Sequence, residues 1–138
     1  MVKRSTTMLM QDAGFNSYQQ VDLDAQAASA SPHQLVLMLI DGFQDELIRA
    51  QGHIEAKRLD AKGISINKCM NILIGLDSAL DLELGGEVAA NLHDLYEFCQ
   101  LELYQASVKN DISHLDNVTL VMNNIREGWQ GFGQHAAK

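Results

Sequence analysis

The sequence predicts an all-α fold: an antiparallel four-helix bundle with a short additional N-terminal helix or flexible arm. Three observations carry that prediction. One proline and 6% aromatic residues in 138 positions are too little turn and strand material for a β architecture. Apolar residues recur at about 100° per residue through four long stretches. Short turn-forming segments separate those stretches, which makes consecutive helices antiparallel neighbours.

The elements follow in order. Residues 1–30 are polar and small apart from Phe15, Tyr18 and Val21 at helical spacing, and read as a flexible arm carrying one short helix. The bundle domain is expected over 31–132, with a tail at 133–138. Ser31-Pro32-His33-Gln34 combines an N-cap serine, a proline at the first helical position and a glutamine three residues after the cap, so two orphan N–H groups are satisfied reciprocally. The first long helix runs from there to about Lys57, with Leu35, Leu39, Phe43, Leu47, Ala50 and Ile54 as its core stripe.

Arg58 to Gly63 has the composition of a turn, and a second helix is expected from about Ser65 to Leu84, with Ile66, Cys69, Met70, Leu73, Leu76 and Leu80 inward. Gly85-Gly86 ends it, because glycine accepts the left-handed conformation at little steric cost. Glu87 opens the third helix at its positive dipole end, and Val88, Leu92, Leu95, Cys99, Leu103 and Ala106 line its inner face. Asn110-Asp111 supply turn and N-cap chemistry. The fourth helix presents Leu115, Val118, Met122, Ile125 and Trp129 before Gly131-Phe132-Gly133.

Charge and composition remove several function classes. A formal charge of -8 without a cluster of Lys and Arg excludes a phosphate-binding surface, so no nucleic-acid partner is expected. No apolar run approaches the roughly 20 residues of a spanning helix, and Lys3-Arg4 is not followed by the apolar core of a signal peptide. Cys69 and Cys99 lie within apolar patterns without CxxC spacing and read as reduced core residues. A soluble, cytoplasmic protein is the expectation. His33, His53, His93, His114 and His135 are scattered, Asp111-x-x-His114 is better read as a helix start, and there is no HExxH, phosphate-cradling loop or nucleophile elbow. Neither catalytic residues, metal nor cofactor is expected.

Two helices carry more apolar surface than one core stripe requires. Leu37, Met38 and Ile48 project away from the main stripe of the first helix, flanking Asp41. Ala90, Leu101, Tyr104 and Val108 lie roughly opposite the Val88–Leu92–Leu95 line of the third. A wide core or a folded-over arm covers such residues in one reading. A groove for an amphipathic partner helix uses them in the other. Asp77 on an otherwise apolar face, like Asp41, reads either as a polar anchor for a partner or as a carboxylate hydrogen-bonded within its own protein.

The segments Asn16-Ser17-Tyr18-Gln19, Ala30-Ser31-Pro32-His33-Gln34-Leu35 through Asp41-Gly42, Gly85-Gly86-Glu87 with Asn91-Leu92-His93-Asp94-Leu95-Tyr96, Lys109-Asn110-Asp111 and Arg126-Glu127-Gly128-Trp129 keep an order that resembles the flagellin-specific export chaperones of the FliS family. The resemblance covers about residues 14 to 132, with Ile40 standing where a tyrosine commonly precedes the Asp-Gly pair. It implies a cytoplasmic helical-bundle chaperone of the flagellar type III export system. Such a protein binds the disordered C-terminal region of flagellin, prevents premature polymerisation and helps present flagellin to an export-gate component, with other flagellar regulators as further partners. The expected binding residues are Tyr18, Leu37, Met38, Asp41, Ile48, Ala90, Asn91, Leu101, Tyr104 and Val108. Without the client, the arm around Tyr18 is expected to cover Leu37 and Met38. The alternative is a homodimeric helical scaffold or adaptor whose surplus stripes close on one another about a two-fold axis.

Overall fold

The computed structural model describes residues 30–80 and 86–136, so Tyr18 and nearly all of the expected arm lie outside the described residues. Among the described residues there are four helices: α1 (Pro32–Glu55), α2 (Leu59–Ser78), α3 (Gly86–Lys109) and α4 (Ile112–Ala136). The chain divides into two compact units, residues 1–35 and 36–138.

In the first unit, the described segment shows the reciprocal cap. The Ser31 N–H donates to Gln34 Oε1 and the Gln34 N–H donates to Ser31 Oγ, both at 3.1 Å.

The second unit is the bundle. Residues on consecutive helices pair in opposite directions, and this fixes the topology. From α2 to α3, Lys62 Nζ donates to the Ser107 carbonyl at 2.8 Å and to Asn110 Oδ1 at 2.6 Å, Gln100 Nε2 donates to the Met70 carbonyl at 3.1 Å, and Asp77 meets His93 at 2.7 Å. From α3 to α4, Glu102 accepts from His114 and Asn117. From α4 back to α1, Arg126 Nε donates to Asp41 Oδ1 at 2.8 Å and Gln44 Nε2 donates to Asn123 Oδ1 at 2.6 Å. Lys68 reaches Glu46 across α1 and α2 at 3.8 Å. The four helices close a ring in which each runs antiparallel to its neighbours, and α1 and α3 occupy opposite corners.

The core runs down the middle of that ring, with Phe43, Ile40, Leu73, Leu76, Leu103, Leu115, Val118 and Met122 all sealed. On α1 the buried line is Val36, Ile40, Phe43, Leu47, Ala50 and Ile54, so the expected stripe is correct from Phe43 onward and displaced by one residue before it. Leu35 is exposed and Leu39 half-buried. The physical reason is the angle: steps of four residues drift about 40° each, whereas alternating steps of four and three hold one face toward a bundle axis.

The α1–α2 turn is shorter than its composition suggests. Lys57 takes a φ of 60°, the Lys57 N–H donates to the Ile54 carbonyl at 3.1 Å and the Arg58 N–H to the His53 carbonyl at 2.8 Å. This is the double bond of a Schellman closure, with lysine in the position glycine usually takes. Helix α2 therefore starts at Leu59, six residues before the expectation, and Gly63 lies inside it. It runs to Ser78, with Ala79 donating back to the Gly75 carbonyl at 3.2 Å; the expected end near Leu84 and Gly85 falls at residues 81–85, outside the described residues.

Asn110 and Asp111 behave as the sequence predicts. Asn110 has a φ of 53°, a conformation asparagine tolerates, and Asp111 Oδ1 accepts the Ser113 N–H at 2.9 Å. That backbone bond, first among several contacts, holds the Asp111 carboxyl below its ordinary pKa. Helix α4 continues through Gly131 to Ala136 instead of stopping at the glycines.

Two outcomes follow for stability. Lys62 is buried and supplies the donor for two acceptors near the α3–α4 turn. Lys62→Ala leaves them unmatched and is expected to cost about 1–3 kcal/mol in chemical denaturation; a variant within about 0.5 kcal/mol of wild type rules out that pin. Lys57→Gly removes the left-handed strain and is expected to raise stability by about 0.5–1 kcal/mol, whereas a loss shows that the lysine side chain outweighs its backbone cost.

Candidate functional site

Helix α3 commits only Tyr96, Cys99, Leu103 and Ala106 to full burial. Its remaining apolar residues fall on two sides of that line. On the outer side Leu101, Tyr104 and Val108 are 66%, 58% and 60% exposed, at i, i+3 and i+7, with exposed Ala90 on the same side about three turns toward the N-terminus.

On the side toward α4, Val88 and Leu95 are exposed and Leu92 is half-buried, although the sequence pattern assigned all three to the core. The opposing face of α4 explains this. Asn124 and Gly128 stand there, and they are too small to close over the α3 side chains. The result is an open groove of about 480 Å³ lined by Val88, Leu92, Leu95, Val121, Asn124, Ile125, Gly128 and Trp129. Trp129 is buried as expected, yet one side of it forms groove wall. Asn91 is exposed and lies one helical step outward from Leu95, at the groove's edge.

The α1 candidates behave differently. Leu37 and Met38 are half-buried, and Leu37 packs against the core. Asp41 is engaged by Arg126 on α4, which makes it a tether between helices. Ile48 stands 70% exposed. Because α1 and α3 sit at opposite corners, their candidate residues do not merge into one patch. Ala90, Leu101, Tyr104 and Val108 on α3 do share a surface, while Asn91 stands apart at the groove's edge, and the three residues that line the α3 wall of the groove were missed as binding residues. The sequence shows Gly128 but not that it stands opposite Val88, Leu92 and Leu95, and only the groove lining brings them together.

Among the described residues the buried thiols and hydroxyl are held in their neutral forms. Burial pushes the thiols of Cys69 and Cys99 up to about 12, and the Tyr96 hydroxyl likewise to about 12, with the Asp77 charge adding to the last. Among the described residues no three His, Cys, Asp or Glu side chains are grouped to hold a metal ion. No helix among them is long and apolar enough to cross a membrane. Asp77 bonds within its own protein, to His93, which also reaches Glu97 at 3.0 Å. Unclosed apolar surface of this kind is equipped to bind a polypeptide.

The family model described as flagellar protein FliS matches residues 14–136. The chain is 42% identical over 114 residues to the flagellar secretion chaperone FliSB of Pseudomonas aeruginosa, covering 83% of this chain and 90% of that protein. It is 39% identical over 126 residues to the flagellar secretion chaperone FliS of Salmonella typhimurium, covering 91% and 93%. The Vibrio cholerae flagellar secretion chaperone FliS is 36% identical over 113 residues, covering 82% and 83%.

One pH dependence follows from the site's geometry. The hydrogen bond to Asp77, then the charge of Asp77, and lastly Glu97 raise the His93 pKa above its ordinary 6.5. A histidine raised on folding stabilises fully below its unfolded pKa and loses that contribution as pH rises through the folded value. Between about pH 6 and pH 8 the melting temperature is therefore expected to fall more in the wild type than in His93→Gln. An imidazole NMR titration that places His93 at or below its unfolded value sinks this account.

Proposed function

The chain belongs to the FliS family of flagellar secretion chaperones, and from that premise we propose that it acts in the cytoplasm by binding the disordered C-terminal region of flagellin. Binding keeps flagellin from polymerising prematurely and assists its delivery to the export apparatus, with an export-gate component as the receiving partner. The protein works as a binding surface and performs no covalent chemistry.

The observation that carries this reading is the apolar surface of α3 that the bundle leaves uncovered: Leu101, Tyr104 and Val108 on one side and the groove of Val88, Leu92 and Leu95 on the other. Flagellar relatives that are named secretion chaperones supply the class of protein, and the surface supplies a place for a client. Burying four leucine-sized side chains contributes roughly 6–12 kcal/mol gross. Association entropy and about 2–5 kcal/mol for ordering a disordered segment subtract from that. A client that touches several patches retains a useful balance; a single short helix retains little.

The test is a purified complex. A C-terminal flagellin fragment mixed with the full chain is expected to co-elute stoichiometrically in gel filtration with a gain in helicity by circular dichroism. Leu101→Glu replaces a side chain that is already 66% exposed. Its stability should stay within about 0.5 kcal/mol of wild type, while affinity for the fragment falls about tenfold or more. An unchanged affinity removes the α3 stripe from the binding surface, and no complex at micromolar concentration removes flagellin as the client.

A further inference from the structure

The groove between α3 and α4 has an apolar floor and a rim of one sign. Val88, Leu92 and Leu95 face Val121, Ile125 and Trp129 across it, and Asn124 is the one polar side chain among its lining residues. A small-molecule site uses several convergent polar groups to orient its ligand, and this lining does not provide them. The spacing i, i+4, i+7 along α3 covers about 10 Å of helix axis, enough to seat roughly two turns of an incoming helix.

The rim then selects which helix. Glu87 and Asp94 each precede a lining residue of α3, and Glu127 precedes Gly128 on α4, so each is turned about 100° from the groove wall toward solvent. All three are exposed. Residues 86–136 carry seven carboxylates against two basic side chains, Lys109 and Arg126. Neither basic group balances the rim. Lys109 ends α3 far from the groove, and Arg126 is turned to Asp41 on α1. His93 lies on the other flank of α3, held between Asp77 and Glu97.

We propose that this groove receives a short cationic amphipathic helix from a client protein, with apolar residues on the floor and flanking Lys or Arg opposite Glu87, Asp94 and Glu127. The inference rests on the chaperone reading in taking the occupant to be a client segment, and it adds that segment's chemistry. A second copy of the chain is the poorer occupant, because two-fold pairing sets the same acidic rim against itself.

The experiment uses the full chain and its own reporter. Trp129 is the sole tryptophan and lines the groove. Two tryptophan-free synthetic peptides of about 18 residues, five helical turns, share one apolar stripe and carry either Lys or Glu on the polar face. At low salt the Lys peptide is expected to bind about tenfold more tightly than the Glu peptide, with the gap closing as salt is added, and to shift the Trp129 emission. A Cβ at Gly128 meets no atom within 4 Å, so Gly128→Leu fills the groove in open space. It should abolish peptide binding without lowering the melting temperature. The combined Glu87→Lys, Asp94→Lys and Glu127→Lys variant should reverse the preference between peptides.

Equal affinity for the two peptides overturns the proposal, as does binding that survives Gly128→Leu with Trp129 silent. So does a wild-type dimer that Gly128→Leu converts to monomer. The flagellin fragment, run on the same protein, separates the two readings. Fragment binding with no peptide discrimination leaves the chaperone reading standing and ends this one; peptide discrimination with no fragment binding supports the charge-selective groove and removes flagellin.

Discussion

The rotation of α3 about its own axis is the constraint on which the rest of the surface depends. Tyr96, Cys99, Leu103 and Ala106 must face the core together, and no other quadrant of this helix buries four residues in register. Polar bonds hold that rotation at several heights. Lys62 grips the C-terminal end, Gln100 bonds the α2 backbone at mid-height, Glu102 faces α4, and His93 faces α2. Once it is set, Leu101, Tyr104 and Val108 must point outward, and Val88 and Leu95 must stand at the margin between α3 and α4. The uncovered apolar surface is thus what remains of a strongly apolar helix after the bundle has taken its share.

The four helices were legible because their signals are local. The Ser31–Gln34 cap and the Asn110–Asp111 turn depend on residues three or fewer apart, and both form as their chemistry dictates. The start of α2 was not legible, because Arg58 to Gly63 is turn-like in composition and the left-handed residue that closes α1 is Lys57 instead of the glycine that usually marks such a stop. Lys62 reads as a solvated lysine until Ser107 and Asn110, more than forty residues away, are placed beside it. The groove was hidden for a related reason. Val88, Leu92 and Leu95 have a core pattern, and whether a core pattern is sealed depends on the size of what stands opposite. A glycine at 128 is visible in the sequence; its height relative to Leu92 is not.

The same residues set a balance between solubility and function. Exposed apolar side chains on a small domain invite association, and a net charge of -8 opposes it through repulsion between copies. Buried polar seams add a second safeguard. The pairs between helices are each specific in register, so sliding one helix along another breaks several at once, whereas apolar contacts alone discriminate weakly between neighbouring registers. A bundle that must keep apolar residues outside has particular need of polar pairs to keep the correct ones inside.

The two apolar surfaces of α3 also limit how a client can use them. At about 100° per residue, the Leu101–Tyr104–Val108 stripe and the Val88–Leu92–Leu95 line lie about 180° apart on the same helix, and Ile48 stands at the opposite corner of the ring. A rigid rod cannot touch more than one of these. Each patch alone offers only a few side chains of burial, most of which the entropy of association consumes. A flexible segment that docks on one patch reaches the next at a high effective concentration, so weak contacts add into useful affinity without any single site becoming sticky enough to aggregate. In the chaperone reading, the geometry therefore favours a client that is disordered before binding and extended around the bundle afterwards.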